Sequence, residues 1–262
     1  MFEHLSLPFD EAVRFLRRKL RLPTRSWLTV LRAENDWAFA VAGATKAQLL
    51  ADLHGAVTKA IEEGTTLAEF RRDFDAAVQD AGWSYNGSRG WRTRTIYQTN
   101  LRTAHAAGRW RQMSSPAVAS RRPWWQYRHG GAAEPRPLHV RGAAAGGWNG
   151  LVLRADDPWW RTHYPPNGWG CSCFARTLSD ADLERLGLST GAAPDLGTYE
   201  WANPETGEVE DVPVGLQPEW AYAPGASQPA ERRRVLDGML QRMPPELRAR
   251  VEAEVRRQSG AR

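Results

Sequence analysis

Apolar residues recur at helical spacing through the first third of the chain. Val13, Phe15, Leu16 and Leu20 follow Asp10, which predicts a helix capped by that aspartate and stopped near Pro23. Leu50, Leu53, Val57 and Ile61 fall on one face of a second helix, opened by a Thr45–Gln48 capping box and closed by Gly64. A third helix starts at once with a Thr66–Glu69 box, carries Leu67, Phe70, Phe74 and Val78, and ends at Gly82. Two antiparallel helices with a short joint are the natural product. From Ser88 to Met113 a longer helical stretch holds Trp91, Ile96, Leu101, Ala104 and Gly108.

Past Pro116 the texture changes. Prolines and glycines become frequent, and the apolar runs shorten to strand length at Trp124–His129 and Leu151–Leu153. Tyr199–Trp201 and Val209–Val212 flank Asn203-Pro204-Glu205-Thr206-Gly207, the pattern of a hairpin. Residues 224–229, Pro-Gly-Ala-Ser-Gln-Pro, have the composition of a linker, and a final helix interrupted at Pro244-Pro245 follows. No internal repeat is evident. The pattern predicts an α+β protein: a helical N-terminal part over 1–115, a small mixed domain with short strands and hairpins over 116–225, and a linker with a basic helix or tail over 226–262.

Composition sharpens this picture in three ways. The length of 262 residues suits one large domain or two small ones. No apolar run is long enough to cross a bilayer, and Met1–Leu20 lacks the apolar segment of a signal peptide, so a cytoplasmic, non-membrane protein is expected. The two cysteines, Cys171 and Cys173, are a single residue apart, which excludes a secreted disulfide framework and fits a reducing compartment.

Charge is arranged in blocks beneath a net +5. Residues 81–133 hold nine arginines and no acid, 178–224 hold ten acids against Arg185 alone, and 231–262 hold nine arginines against five acids. The first block is interleaved with Trp91, Tyr97, Trp110, Trp124, Trp125 and Tyr127. Guanidinium groups bind phosphates and aromatic rings stack on bases, so contact with DNA is one reading. Core aromatics, with the arginines neutralised by the 180–219 acids, is the other.

His139, His163, Cys171 and Cys173 are two nitrogens and two sulfurs, the donor set of a structural zinc site. Gly168 and Gly170 permit the tight backbone that would bring both thiols to one point. Packed thiols with backbone-bonded histidines are the plainer alternative, and a metal held by three of the four is another. His139, Asp156, Asp157 and His163 with Arg136 also have the chemistry of a nuclease or phosphotransferase centre, although Asp156-Asp157-Pro158 reads equally as a turn. Phosphate-cradling loops, nucleophile elbows and His-Glu-x-x-His are absent from the sequence.

Three stretches carry a family resemblance. They are Trp37–Lys46 with the helices after it, Gly90–Arg109, and a longer one through Trp125–Arg128, Arg136-Pro137-Leu138-His139, Trp148–Leu151 and Pro158-Trp159-Trp160. The last ends on His163-Tyr164-Pro165-Pro166-Asn167-Gly168-Trp169-Gly170-Cys171-Ser172-Cys173, and Pro218–Gly225 also looks familial. Together they resemble the Mu F-like minor head, or head morphogenesis, proteins of tailed phages over most of 9–225. The family commonly has Cys-Arg-Cys where Ser172 stands here, and Arg141–Gly147 looks like an insertion. The resemblance implies a structural minor capsid protein rather than an enzyme, placed in the head interior or at the portal vertex. Its implied partners are the portal protein, capsid or scaffold proteins, and packaged DNA held without sequence specificity.

Overall fold

In a computed structural model, residues 9–260 are described. The pattern of Met1–Pro8 and the last arginine, Arg262, lie outside them. Helix α1 (Asp10–Arg17) buries Ala12, Val13, Phe15 and Leu16. Its N-cap is Phe9, and Asp10 is the first helical residue rather than the cap. In that position its carboxylate still complements the helix dipole. The helix stops short of Leu20 because that residue is claimed by tertiary pairing: β1 (Leu20–Arg21) runs parallel to β2 (Ala38–Phe39), with the Leu20 amide donating to the Trp37 carbonyl at 2.8 Å.

Helices α2 (Ala47–Glu63) and α3 (Leu67–Ala81) form the expected pair. The Thr66–Glu69 box closes as read, with the Glu69 amide donating to Thr66 Oγ1 at 3.2 Å and the Thr66 amide donating to Glu69 Oε2 at 2.7 Å. The Thr45–Gln48 box does not form. Lys46 occupies the N-cap of α2 without a side-chain bond, and Gln48 donates instead to Asp52 Oδ1, one turn along. Leu50, Leu53, Val57, Ile61, Phe70 and Phe74 are buried in one core with α1 and with Ile96 and Ala104 of α4 (Arg89–Met113). Val78 is only partly buried against it, and Trp91 is exposed. Gly108 is required by close approach: a Cβ there would lie 2.7 Å from the Phe9 ring and 2.9 Å from the Ala12 nitrogen.

After α5 (Pro116–Ala119) come β3 (Trp124–Arg128), α6 (Pro137–Val140), β4 (Val152–Arg154), α7 (Trp160–His163), β5 (Phe174–Leu178) and α8 (Asp180–Leu186). The strands make an antiparallel sheet in the order β4–β3–β5. One face buries Trp125, Tyr127, Leu153 and Ala175. Trp110, Trp160 and Tyr164 pack on Trp125 with ring centroids 5.2–5.8 Å apart. The hairpin forms as read, from β6 (Thr198–Ala202) and β7 (Val209–Pro213). Asn203 Oδ1 accepts the Glu205 and Thr206 amides in the turn.

Helices α9 (Arg232–Arg242) and α10 (Pro245–Gly260) follow, separated at Pro244. The helix read from the sequence, interrupted at Pro244-Pro245, forms, but it is part of a core rather than a basic tail behind a linker. Leu236, Met239, Met243, Leu247 and Val251 pack with Leu20, Leu22, Val30 and Trp37. Their helical spacing is diluted by arginines, which hides the apolar stripe. Buried Gln258 accepts the Arg21 amide at 3.1 Å and donates to the Arg21 carbonyl at 3.0 Å, so its amide extends the β1 edge. Arg242 pairs with buried Glu34.

The chain divides into two compact units. The first takes residues up to Val30, Glu34–Gly108 and Gln228 onward, and the second takes Leu31–Ala33 and Arg109–Ser227. Helices dominate the first and small sheets organise the second, an α+β fold. No helix among the described residues is long and apolar enough to cross a membrane.

Candidate metal centre

The sulfurs of Cys171 and Cys173 meet the His139 imidazole in the second unit. Each Sγ lies 3.8 Å from His139 Nδ1, and the three donor atoms all fall within 4.8 Å of one another. All three residues are buried, His139 to 1% exposure. Helix α6 carries His139 in its last turn, started by Pro137, whose fixed φ suits a first helical position. The cysteines sit in the chain entering β5, where Gly168 and Gly170 turn the backbone. Gly170 has φ +73, and at Gly168 a Cβ would meet the Arg136 guanidinium at 2.5 Å.

The surroundings orient each donor. His139 Nε2 lies 2.9 Å from the Gly215 carbonyl. A carbonyl only accepts, so that nitrogen carries the proton and the Nδ1 lone pair is left facing the sulfurs. Gly215 reaches this position at φ +95, with no room for a side chain against Trp148. The Cys173 thiol, and with it the Asn167 backbone amide, hydrogen-bonds to Cys171 and holds it well below the ordinary thiol range against the effect of burial. Cys173 is pushed up by Cys171 and by burial, while the Tyr127 hydroxyl and the Gly130 amide bond to it. Buried Tyr127 also donates to Asn167 Oδ1 at 3.0 Å. Gly130 can approach because it lacks a Cβ, which would sit 1.9 Å from the Ser172 carbonyl oxygen.

His163 is not brought into this group. Its ring stacks on Trp159 at 4.5 Å and 9°, and Nδ1 lies 2.7 Å from Thr162 Oγ1. Burial draws its pKa from 6.5 to about 4. Trp148 stands beside both histidines, stacked on His139 at 4.7 Å and edge-on to His163 at 5.3 Å. Tyr127, Asn167, Gly130 and Gly215 are the residues that sequence spacing missed. Only Asn167 carried a signal, as the turn residue of Pro165-Pro166-Asn167-Gly168.

The other candidate chemistry is dispersed. Arg136 donates to the Trp169 carbonyl at 3.1 Å and to Gln217 at 2.8 Å, which ties the cysteine loop to the chain after β7. Asp156 pairs with Arg154 at the surface, and Asp157 accepts the Trp159 amide at 2.9 Å. Among the arginines of 81–133, Arg89 pairs with Asp75 and Arg122 with Asp182 of the acidic block. Arg92 is buried against Trp83 and Tyr85. Arg94, Arg109, Arg111 and Arg121 are exposed and make no ion pair among the described residues.

The model of the family described as Phage Mu protein F like protein matches residues 51–176, from α2 into β5. The chain is 34% identical over 253 residues to the putative capsid assembly protein F of Escherichia phage Mu, covering 84% of this chain and 55% of that one. The chain belongs to the Mu F-like family. A second relative, the Mu-like prophage FluMu F protein of Haemophilus influenzae, is 32% identical over 180 residues, 65% of this chain and 42% of its own. The Mu F-like chain thus spans about half the length of these curated relatives. No solved structure matches. The family match encloses His139, Cys171 and Cys173, so this cluster of candidate ligands lies within the Mu F-like part of the chain.

Proposed function

We propose that this chain is a structural component of phage head assembly, a minor capsid protein acting at the portal vertex or in the head interior rather than as an enzyme. The observation that carries this reading is the 34% identity across 84% of the chain to a protein named for capsid assembly. Dispersal of Arg136, Asp156 and Asp157 into structural bonds supports it, because the alternative nucleic-acid enzyme needs those groups to converge. The portal protein, with capsid or scaffold proteins, is the partner of this reading. A pull-down with the portal protein of the same phage should retain the full chain. Turnover of nucleic acid by the chain alone, with no portal retention, would reverse the assignment.

A structural zinc held by His139 Nδ1, Cys171 and Cys173 belongs to the same reading. Two sulfurs and an imidazole nitrogen, each with an outer hydrogen-bond partner, would supply three of the four positions that ion takes. Elemental analysis should find one zinc per chain, lost on replacing either cysteine and retained in His163→Ala. Packaged DNA is the further partner, through exposed Arg109, Arg111 and Arg121 of the second unit. Nonspecific binding should fall steeply with salt as counterions are released. Replacing these three by Ala should weaken it strongly. Deleting 231–262 cannot test the charge, since it removes core residues Leu236, Met239 and Val251.

A further inference from the structure

Two patches in the second unit, the outward face of the β6–β7 hairpin and one end of the β3–β5 pair, carry opposite charge beside an exposed apolar side chain. Gln126, Val152 and Leu178, on the same sheet face as the second patch, are buried. On β5, Phe174 lies directly opposite Arg128 of β3, and Arg176 follows Phe174 by two residues, so the three share one face. Phe174 is 48% exposed. Arg176 donates to Gln126 Oε1 at 2.8 Å, and neither arginine makes an ion pair among the described residues. On the hairpin, Asp211 lies directly opposite Glu200, and Val209 precedes Asp211 by two residues. Val209, at 62%, is the most exposed large apolar residue among those described. Glu200 and Asp211 are exposed and likewise without an ion pair among the described residues.

The hairpin face is unfavourable alone. Like charges directly across an antiparallel pair destabilise it, as Glu200 and Asp211 do here. A two-stranded hairpin with one solvated face is marginal without further packing. The inward face of this hairpin is already used, by buried Val212 and by the Tyr199 hydroxyl donating to the Leu216 carbonyl at 3.0 Å. Only the outward face awaits a partner.

We propose that the Val209–Asp211–Glu200 face of one copy packs on the Phe174–Arg176–Arg128 face of a second copy of this chain. The charge complementarity selects the occupant. Each face presents an apolar side chain, a charge two residues along the strand, and a like charge on the neighbouring strand. Contact of the hairpin face with this patch lets the Val209 and Phe174 side chains meet while opposite charges pair around them. The two patches differ, so the contact either repeats reciprocally in a closed two-fold dimer or runs head-to-tail into a ring or an open chain. Association of this kind does not depend on the head-assembly reading.

Light scattering and sedimentation of the full chain over the micromolar range test it. The protein should self-associate, and salt should weaken the association. Glu200→Arg with Asp211→Arg, and separately Arg128→Glu with Arg176→Glu, should each weaken it by roughly tenfold or more. An equimolar mixture of the two double variants should regain it at equal stoichiometry, because each reversed face again meets its opposite. Arg128→Glu alone leaves the Arg176–Gln126 bond intact and should weaken association in the same direction if the double variant loses its fold. A wild-type chain that stays monomeric overturns the proposal. So do variants that associate as tightly as wild type, or a mixture of natively melting variants that remains apart.

Discussion

The two units are held together by different physics. In the first, aliphatic and phenyl side chains from α1, α2, α3 and α4 fill one apolar cluster and α9 and α10 close a second, with buried polar groups such as His54 and Gln258 tied to backbone beside them. In the second, tryptophans and tyrosines surround groups that must be satisfied: His139, Gln126, Asn167 and two thiols, all buried. The α1–α4 cluster itself is built from apolar volume in the right period. The second unit needs bonds of defined direction, because each unpaired buried polar group costs free energy. Its glycines reflect that demand, since Gly130 and Gly215 let backbone come within reach of the cysteine loop and of His139.

This contrast can be broken most forcefully at Phe74, which is fully buried in the first unit. Phe74→Ala should cost about 3–5 kcal/mol in urea unfolding. A loss below about 1 kcal/mol would show that apolar volume is not what sustains this core.

Acid should act through the second unit. Burial holds folded His163 at about 4 against 6.5 unfolded. Between those values the unfolded chain binds the extra proton, so stability is complete above 6.5 and is lost as pH falls toward 4. The difference between wild type and His163→Gln should shrink by up to about 3 kcal/mol over that window. Parallel pH profiles would mean that the imidazole is not held neutral by burial.

Zinc offers a third test, resting on the proposed metal. Free zinc at about a hundred times its dissociation constant should stabilise the protein by about 2.7 kcal/mol. Hydrogen exchange should place the gain at β3, β5 and α6 rather than at α2 and α3. Equal protection of both units, or unchanged melting after chelation, would count against a metal confined to the second.

The smallest effect discriminates most finely. Thr66→Ala breaks a formed capping box and should cost about 1 kcal/mol, whereas Thr45→Ala removes no cap bond and should change stability by less than about 0.5 kcal/mol. Equal losses at both positions would mean that the cap geometry is not the source of the difference.

By itself the sequence determined what depends on neighbours in the chain. The α2–α3 pair, its buried face, the left-handed Gly64 and Gly82 stops and the β6–β7 hairpin are local patterns, set by spacing and turn chemistry. It also named His139, Cys171 and Cys173 as candidate ligands, because donor type is a property of the residue. The tertiary structure decided everything that rests on distant pairing. Leu20 left its helix for a strand because Trp37 and Ala38 offered backbone partners. The arginine-rich end became core because Leu20, Leu22 and Trp37 presented an apolar surface to its diluted stripe. His163, a ligand by type, was drawn onto Trp159, while His139 turned Nδ1 to the sulfurs because Gly215, 76 residues away, accepted its other proton. Local spacing cannot encode such choices, since each is a competition between partners that only the folded chain brings within reach.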